Sequence, residues 1–156
     1  MVHKLLFVCT GNICRSPTME GTMRHLVRQH GLEEEFELDS AGTHDYHVGD
    51  APDHRSIKTA AKYGVDISDL VARRVHPDDF ETYDLLLAAD RGHYTLLKEL
   101  APKKSAAKIQ LFLPYSRVSH REEVPDPYYG PAQGFDDVFR LIEEGCNGLL
   151  QRLHRI

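Results

Sequence analysis

Apolar residues along the chain come in short bursts separated by longer stretches with helical spacing. Leu5 to Val8 is an unbroken apolar run, the pattern of a strand covered on both faces. Met19, Met23, Leu26 and Val27 then share one side of a helix that opens at Ser16-Pro17 and stops at Gly31, with Ser16 as N-cap and Pro17 as first helical residue. Phe36 to Ser40 alternates as a half-exposed edge strand does, and a His-, Asp- and Gly-rich loop follows from Ala41 to Ala51. A helix is predicted from Pro52 to Tyr63, with Ile57, Ala60 and Ala61 inward and Gly64 ending it. Val65 to Pro77 reads as irregular, Pro77 to Glu81 as a short helix, Leu85 to Ala89 as a second buried strand, and Gly92 to Leu100 as a helix. Ile109 to Leu113 is the last strand, stopped by Pro114. After a long loop from Tyr115 to Gly134, a helix from Phe135 to Leu153 carries Val138, Leu141, Ile142, Leu149 and Leu150 inward. Strands alternating with helices predict a parallel α/β sheet, whose ligands bind beyond the carboxyl ends of the strands where strand order reverses.

Composition narrows this only a little. At 156 residues, with 41% apolar and 28% charged, the chain reads as a single globular domain, residues 1–156. The net charge of -5 argues against nucleic acid as a partner, since phosphate backbones are held by basic patches. Three cysteines, Cys9, Cys14 and Cys146, are too few for a secreted disulfide framework. No run approaches the roughly 18 apolar residues of a membrane span, and the N-terminal apolar run is too short for a signal peptide. A cytoplasmic protein without membrane contact is expected. The ten histidines are scattered, none spaced with cysteines as in a zinc site; they read as surface residues, and no metal is expected.

The chemistry gathers between Leu5 and Glu20, LLFVCTGNICRSPTME. An apolar strand, a short Gly/Asn loop and a helix start aim several backbone N–H groups and the positive end of a helix dipole at one point, which makes an anion site. Cys9 and Arg15 stand at the two ends of the loop. A Cys at a strand end is commonly a small buried hydrophobe, and one glycine loop is a weak signal; the combination is more specific. The terminal Gly-Lys-Ser/Thr of a nucleotide-binding loop is absent, and a dinucleotide fingerprint needs further glycines. Thiols at helix N-termini beside cations ionise readily and are then nucleophiles, and an arginine fork can hold two phosphate oxygens at once. Asn12 suits bracing of the loop, because Asn tolerates left-handed backbone and bonds nearby groups. Asp126, between Pro125 and Pro127, reads on its own as a turn residue.

CTGNICRSP resembles the signature loop of the low-molecular-weight protein tyrosine phosphatases. The likeness continues through Ser40-Ala41-Gly42-Thr43, through Asp84 to Asp90, and through Val124-Pro125-Asp126-Pro127-Tyr128-Tyr129-Gly130 to Gly134-Phe135. The resemblance implies four parallel strands in the order 2-1-3-4, with helices on both faces and the phosphate loop after the first strand. It implies a cofactor-free hydrolysis of phosphotyrosine in protein substrates. Cys9 would be the nucleophile, Arg15 the phosphate clamp and Asp126 the general acid and base, through a phosphocysteine. Thr10, Gly11, Asn12, Ile13, Cys14 and Ser16 would form and support the loop, with Ser16 also hydrogen-bonded to Cys9. Tyr46, Tyr128 and Tyr129 would wall the aromatic slot. Cys14, five residues from Cys9, is the expected redox partner, able to trap an oxidised Cys9 as a disulfide. A monomer or weak dimer is expected.

Departures and rivals accompany that reading. Many bacterial members carry His-Arg-Ala-Arg where this chain has Leu70-Val71-Ala72-Arg73, and that His helps to brace the loop's Asn and Ser. An arsenate reductase of the same fold would need relay cysteines near the loop. Phosphoarginine phosphatases of the family carry Thr in place of Ile13. A non-catalytic phosphotyrosine-binding module would lack the nucleophile or the acid.

Overall fold

The computed structural model describes residues 2–154. Strand β1 (His3–Cys9) lies between β2 (Phe36–Gly42) and β3 (Leu85–Ala88), and β4 (Ile109–Leu111) adds to β3. All pairings are parallel and the order is β2-β1-β3-β4, as the resemblance implies. The helices are α1 (Arg15–Gln29), α2 (His54–Lys62), α3 (Asp79–Thr82), α4 (Arg91–Leu100) and α5 (Gln133–His154).

Successive residues of β1 point to opposite faces, and each face has its own core. Leu5, Phe7 and Cys9 pack with Met19 and Met23 of α1 and with Ile142, Cys146 and Leu149 of α5. Leu6 and Val8 pack with Leu86, Ala88, Leu97 of α4 and Phe80 of α3. Both faces are therefore covered, which is why β1 and β3 read as continuous apolar runs. The chain leaves β1 toward β2 on one side and returns to β3 on the other. The reversal falls at the carboxyl end of β1, and Cys9 is its last residue, paired with Gly42.

Several boundaries differ from the sequence reading. Helix α1 begins at Arg15, with Cys14 in the capping position and no side-chain cap, so Ser16 is not the N-cap; its hydroxyl is turned toward Cys9 instead. Asp53 caps α2 through the Arg55 N–H, and Ala61 is exposed while Ser56, Thr59 and Ala60 are buried. Strand β4 stops at Leu111, and Pro114 sits inside a 3-10 turn, Leu113–Tyr115, rather than ending the strand. Helix α5 starts at Gln133. Its Gly148 lies so close to that 3-10 turn that a Cβ would meet the Tyr115 carbonyl oxygen at 1.9 Å. No helix among the described residues is long and apolar enough to cross a membrane.

Candidate active site

The loop from Thr10 to Cys14 joins β1 to α1 at the reversal point. Asn12 adopts a positive φ of 60°, the left-handed conformation Asn tolerates, and it is buried behind the loop. Its amide nitrogen donates to Ser16 Oγ at 2.7 Å and to Ser40 Oγ at 2.9 Å, while its oxygen accepts the Arg73 N–H at 3.0 Å. The Arg73 donor fixes which way the amide faces. Ser16 Oγ, already an acceptor from Asn12, has its own proton left for Cys9 Sγ at 2.9 Å. Ser40 in turn donates to Glu20 Oε1 at 2.7 Å, and Glu20 is paired with Arg24.

This chain answers the absence of histidine at Leu70. Leu70 packs on the Ala60, Val65, Ile67 and Phe139 cluster, and the Arg73 backbone and the Glu20 carboxylate brace the serine–asparagine network. Burial pushes Glu20 above the ordinary carboxylate range, against the pull of Ser40 and Arg24. The end of β2 closes the other side, with Thr43 N–H donating to the Cys9 carbonyl and His44 N–H to the Thr10 carbonyl. A Cβ on Gly42 would stand 2.6 Å from the Thr10 carbonyl oxygen, so only glycine admits this approach.

Arg15 is buried, and its Nη1 donates to Asp90 Oδ2 at 2.8 Å and to the Val124 carbonyl at 3.0 Å. Its Nη2 lies 3.5 Å from Thr10 Oγ1 and 3.7 Å from Asp126 Oδ2. Burial works against the Asp90 carboxylate, but the His93 ring, Arg15 and the His93 backbone N–H outweigh it, leaving the group below its ordinary value. Asp126 reaches the site on a long loop pinned at Val124, whose N–H donates to the Ala89 carbonyl beyond β3. The Tyr128 N–H donates to Asp126 Oδ1 at 3.0 Å.

Cys9, Arg15, Asp126, Tyr46, Tyr128 and Tyr129 line one cavity of about 130 Å³, together with Thr10, Gly11, Ile13 and Cys14. Asn12 and Ser16 support the loop from behind. Tyr46 stacks on His44 with ring centroids 5.0 Å apart, and Tyr128 and Tyr129 meet edge to face at 4.8 Å. The Arg55 guanidinium lies over the Tyr128 and Phe135 rings and steadies that wall. Cys14 is buried against Ile13, Ala72 and Phe135, and burial pushes its thiol up to about 12, with Ser56 pulling the other way.

Four groups here went unread in the sequence: His93, His47, Glu20 and Asp90. Asp90 follows the carboxyl end of β3 and caps α4 through the His93 N–H, a placement that could have marked it. His93 is buried, contrary to the expectation of surface histidines, and His47 lines the cavity. Among the described residues, no group of three or more His, Cys, Asp or Glu could hold a metal ion.

A thiol at the floor of a backbone cradle, a buried arginine beside it and a carboxyl at its rim define a cysteine-dependent phosphate-ester site at the switch point of a parallel sheet. The comparisons with known proteins agree. The family model for low molecular weight phosphotyrosine protein phosphatase matches residues 4–156. The chain is 40% identical to a low molecular weight protein-tyrosine-phosphatase of Streptomyces coelicolor, covering 96% of this chain and 93% of that one. It is 36% identical to the human low molecular weight phosphotyrosine protein phosphatase, over 96% and 95% of the two chains. A crystal structure of a protein tyrosine phosphatase from Entamoeba histolytica superposes with a TM-score of 0.94 at 38% identity, over 98% of this chain and 97% of that one. The chain belongs to the low molecular weight phosphotyrosine protein phosphatase family, a family of hydrolases.

Proposed function

We propose that this chain hydrolyses phosphotyrosine in protein substrates in two steps. Cys9 Sγ attacks phosphorus, the bond to the phenolic oxygen breaks, and Asp126 gives that oxygen a proton. Asp126, now a carboxylate, takes a proton from water as the water displaces the thiol and releases inorganic phosphate. Arg15 and the loop N–H groups hold the equatorial oxygens throughout. Thr10, Gly11, Ile13 and Cys14 shape the cradle, Asn12 and Ser16 support it, and Tyr46, Tyr128 and Tyr129 receive the phenyl ring. The observation that carries this reading is the opening of Cys9, Arg15 and Asp126 onto one cavity walled by tyrosines.

Against the arsenate reductase reading, Cys146 is fully buried in the α1–α5 interface, with its thiol toward the Met19 carbonyl, where it cannot relay electrons to Cys9. Ile13 offers a guanidine no polar contact, which favours phosphotyrosine over phosphoarginine. Residues 1–156 act as one domain in this account, in the cytoplasm, as a monomer or weak dimer.

Turnover of matched phosphotyrosine, phosphoserine and phosphoarginine peptides tests the assignment. Phosphotyrosine is expected to be preferred, and a preference for phosphoarginine refutes the substrate class.

A further inference from the structure

His93 is 5% exposed, yet it lies beside the floor of the site and no step of the proposed reaction uses it. Its Nε2 is 2.7 Å from Thr10 Oγ1. Its Nδ1 is 3.1 Å from Asp90 Oδ1, off the line of a good hydrogen bond, and among the described residues it has no hydrogen-bond partner. Asp90 also accepts the His93 backbone N–H through Oδ1 and Arg15 Nη1 through Oδ2.

These contacts fix the ring's tautomer. A bare nitrogen lone pair facing a carboxylate oxygen at 3.1 Å is repelled, so the ring proton belongs on Nδ1. Nε2 is then an acceptor, and the Thr10 hydroxyl must be its donor. With its proton spent on His93, Thr10 Oγ1 turns a lone pair toward Arg15 Nη2. Arg15 donates to Thr10 and Thr10 to His93, and Asp90 closes the ring by accepting from Arg15 Nη1 and from the His93 backbone N–H, with the His93 Nδ1–H against its Oδ1.

We propose that His93 is a positioning residue for the phosphate clamp, holding Thr10 and Asp90 in the orientation that aims the Arg15 guanidinium at the bound phosphate. This rests on the assignment of Arg15 as the clamp. The ring works only while His93 is neutral. Protonated, Nε2 becomes a donor, Thr10 must accept from it, and a second cation abuts Arg15. Burial, the Arg15 charge and His44 oppose that protonation, Asp90 and Asp126 favour it, and the net effect lowers His93 to about 4.

Inorganic phosphate binding by the whole protein, measured by calorimetry, tests the proposal without requiring turnover. His93→Ala is expected to weaken phosphate by roughly tenfold, the effect of losing one hydrogen bond to a charged network. His93→Gln, whose amide oxygen can reach the Thr10 proton, should recover most of that loss. Thr10→Val and His93→Ala should be strongly non-additive, because one acts through the other. Nitrogen-15 spectra of the parent's imidazoles should show His93 as the neutral Nδ1–H tautomer from pH 6 to 8, a readout that holds even if the alanine variant does not fold. An Nε2–H tautomer, unchanged phosphate affinity in His93→Ala, or additive and unrescued losses would each overturn it. A parent that binds phosphate with this pattern but turns over no aryl phosphate would instead sink the proposed function and leave the positioning role standing.

Discussion

Two carboxylates face Arg15, and their surroundings assign them different work. Asp90 is committed, with one oxygen on Nη1 and the other on the α4 N-terminus. Asp126 stands 3.7 Å from Nη2, its side chain 45% exposed, which suits it to the proposed proton exchange with substrate and water. Asp126→Asn should therefore cost roughly 10²- to 10⁴-fold in turnover of a phenyl phosphate and far less with a nitrophenyl ester, whose oxygen leaves unaided. Rates measured on the two esters decide the point, and equal losses would make Asp126 structural. Cys14 shares the cavity with Cys9, but its thiol, pushed up to about 12, stays protonated at neutral pH. Peroxide would convert the Cys9 thiol to a sulfenic acid, and condensation with Cys14 would release water and form the disulfide, slowly for a protonated partner. Peroxide inactivation that dithiothreitol reverses in the parent but not in Cys14→Ser is the expected result; equal recovery reduces Cys14 to packing. The residues of the proposed nucleophile, clamp and acid were legible by motif. His93 was not, because ten scattered histidines carry no mark of which one the fold buries.

At the scale of elements, the strand–loop–helix unit supplies the cradle and the ends of β2 and β3 supply its supports. Both strand ends reach the loop because parallel neighbours of β1 finish at the same level, with Cys9 beside Gly42 and Val8 beside Ala88. Among the described residues, periodicity revealed the four strands and the longer helices, since apolar runs report burial on both faces and helical spacing reports burial on one, while the short α3 was read from Pro77 as a helix start. It misjudged details that depend on tertiary partners. Ser16 looks like a cap because a hydroxyl before proline usually is one, but Asn12 and Cys9 claim that hydroxyl. Ala61 looks inward by composition, yet α2 turns Ser56 and Thr59 to the interior beside it. Pro114 looks like a strand stop, and the chain instead tightens into a turn that Gly148 of α5 accommodates.

For the whole molecule, two of the same buried groups make stability respond to acid in opposite senses. His93 is lowered from an ordinary 6.5 to about 4 in the folded state, so as pH falls through that interval the unfolded chain takes up a proton first. Its contribution is complete above 6.5 and drains away toward 4, by about 3 kcal/mol. Glu20, raised in the folded state, acts in the opposite sense, favouring the native form at low pH. Comparing parent with His93→Gln cancels the Glu20 contribution. Thermal unfolding from pH 7 to 4 should show the parent losing more stability than the variant, and parallel profiles would show that His93 does not titrate as described. The covalent step at Cys9 is tested by phosphorus NMR of Asp126→Ala quenched during turnover of an aryl phosphate. A phosphocysteine signal is expected that is absent from Cys9→Ser, which should bind phosphate but not turn over. Sustained turnover by Cys9→Ser, with no phosphorylated thiol in the quenched protein, would contradict it.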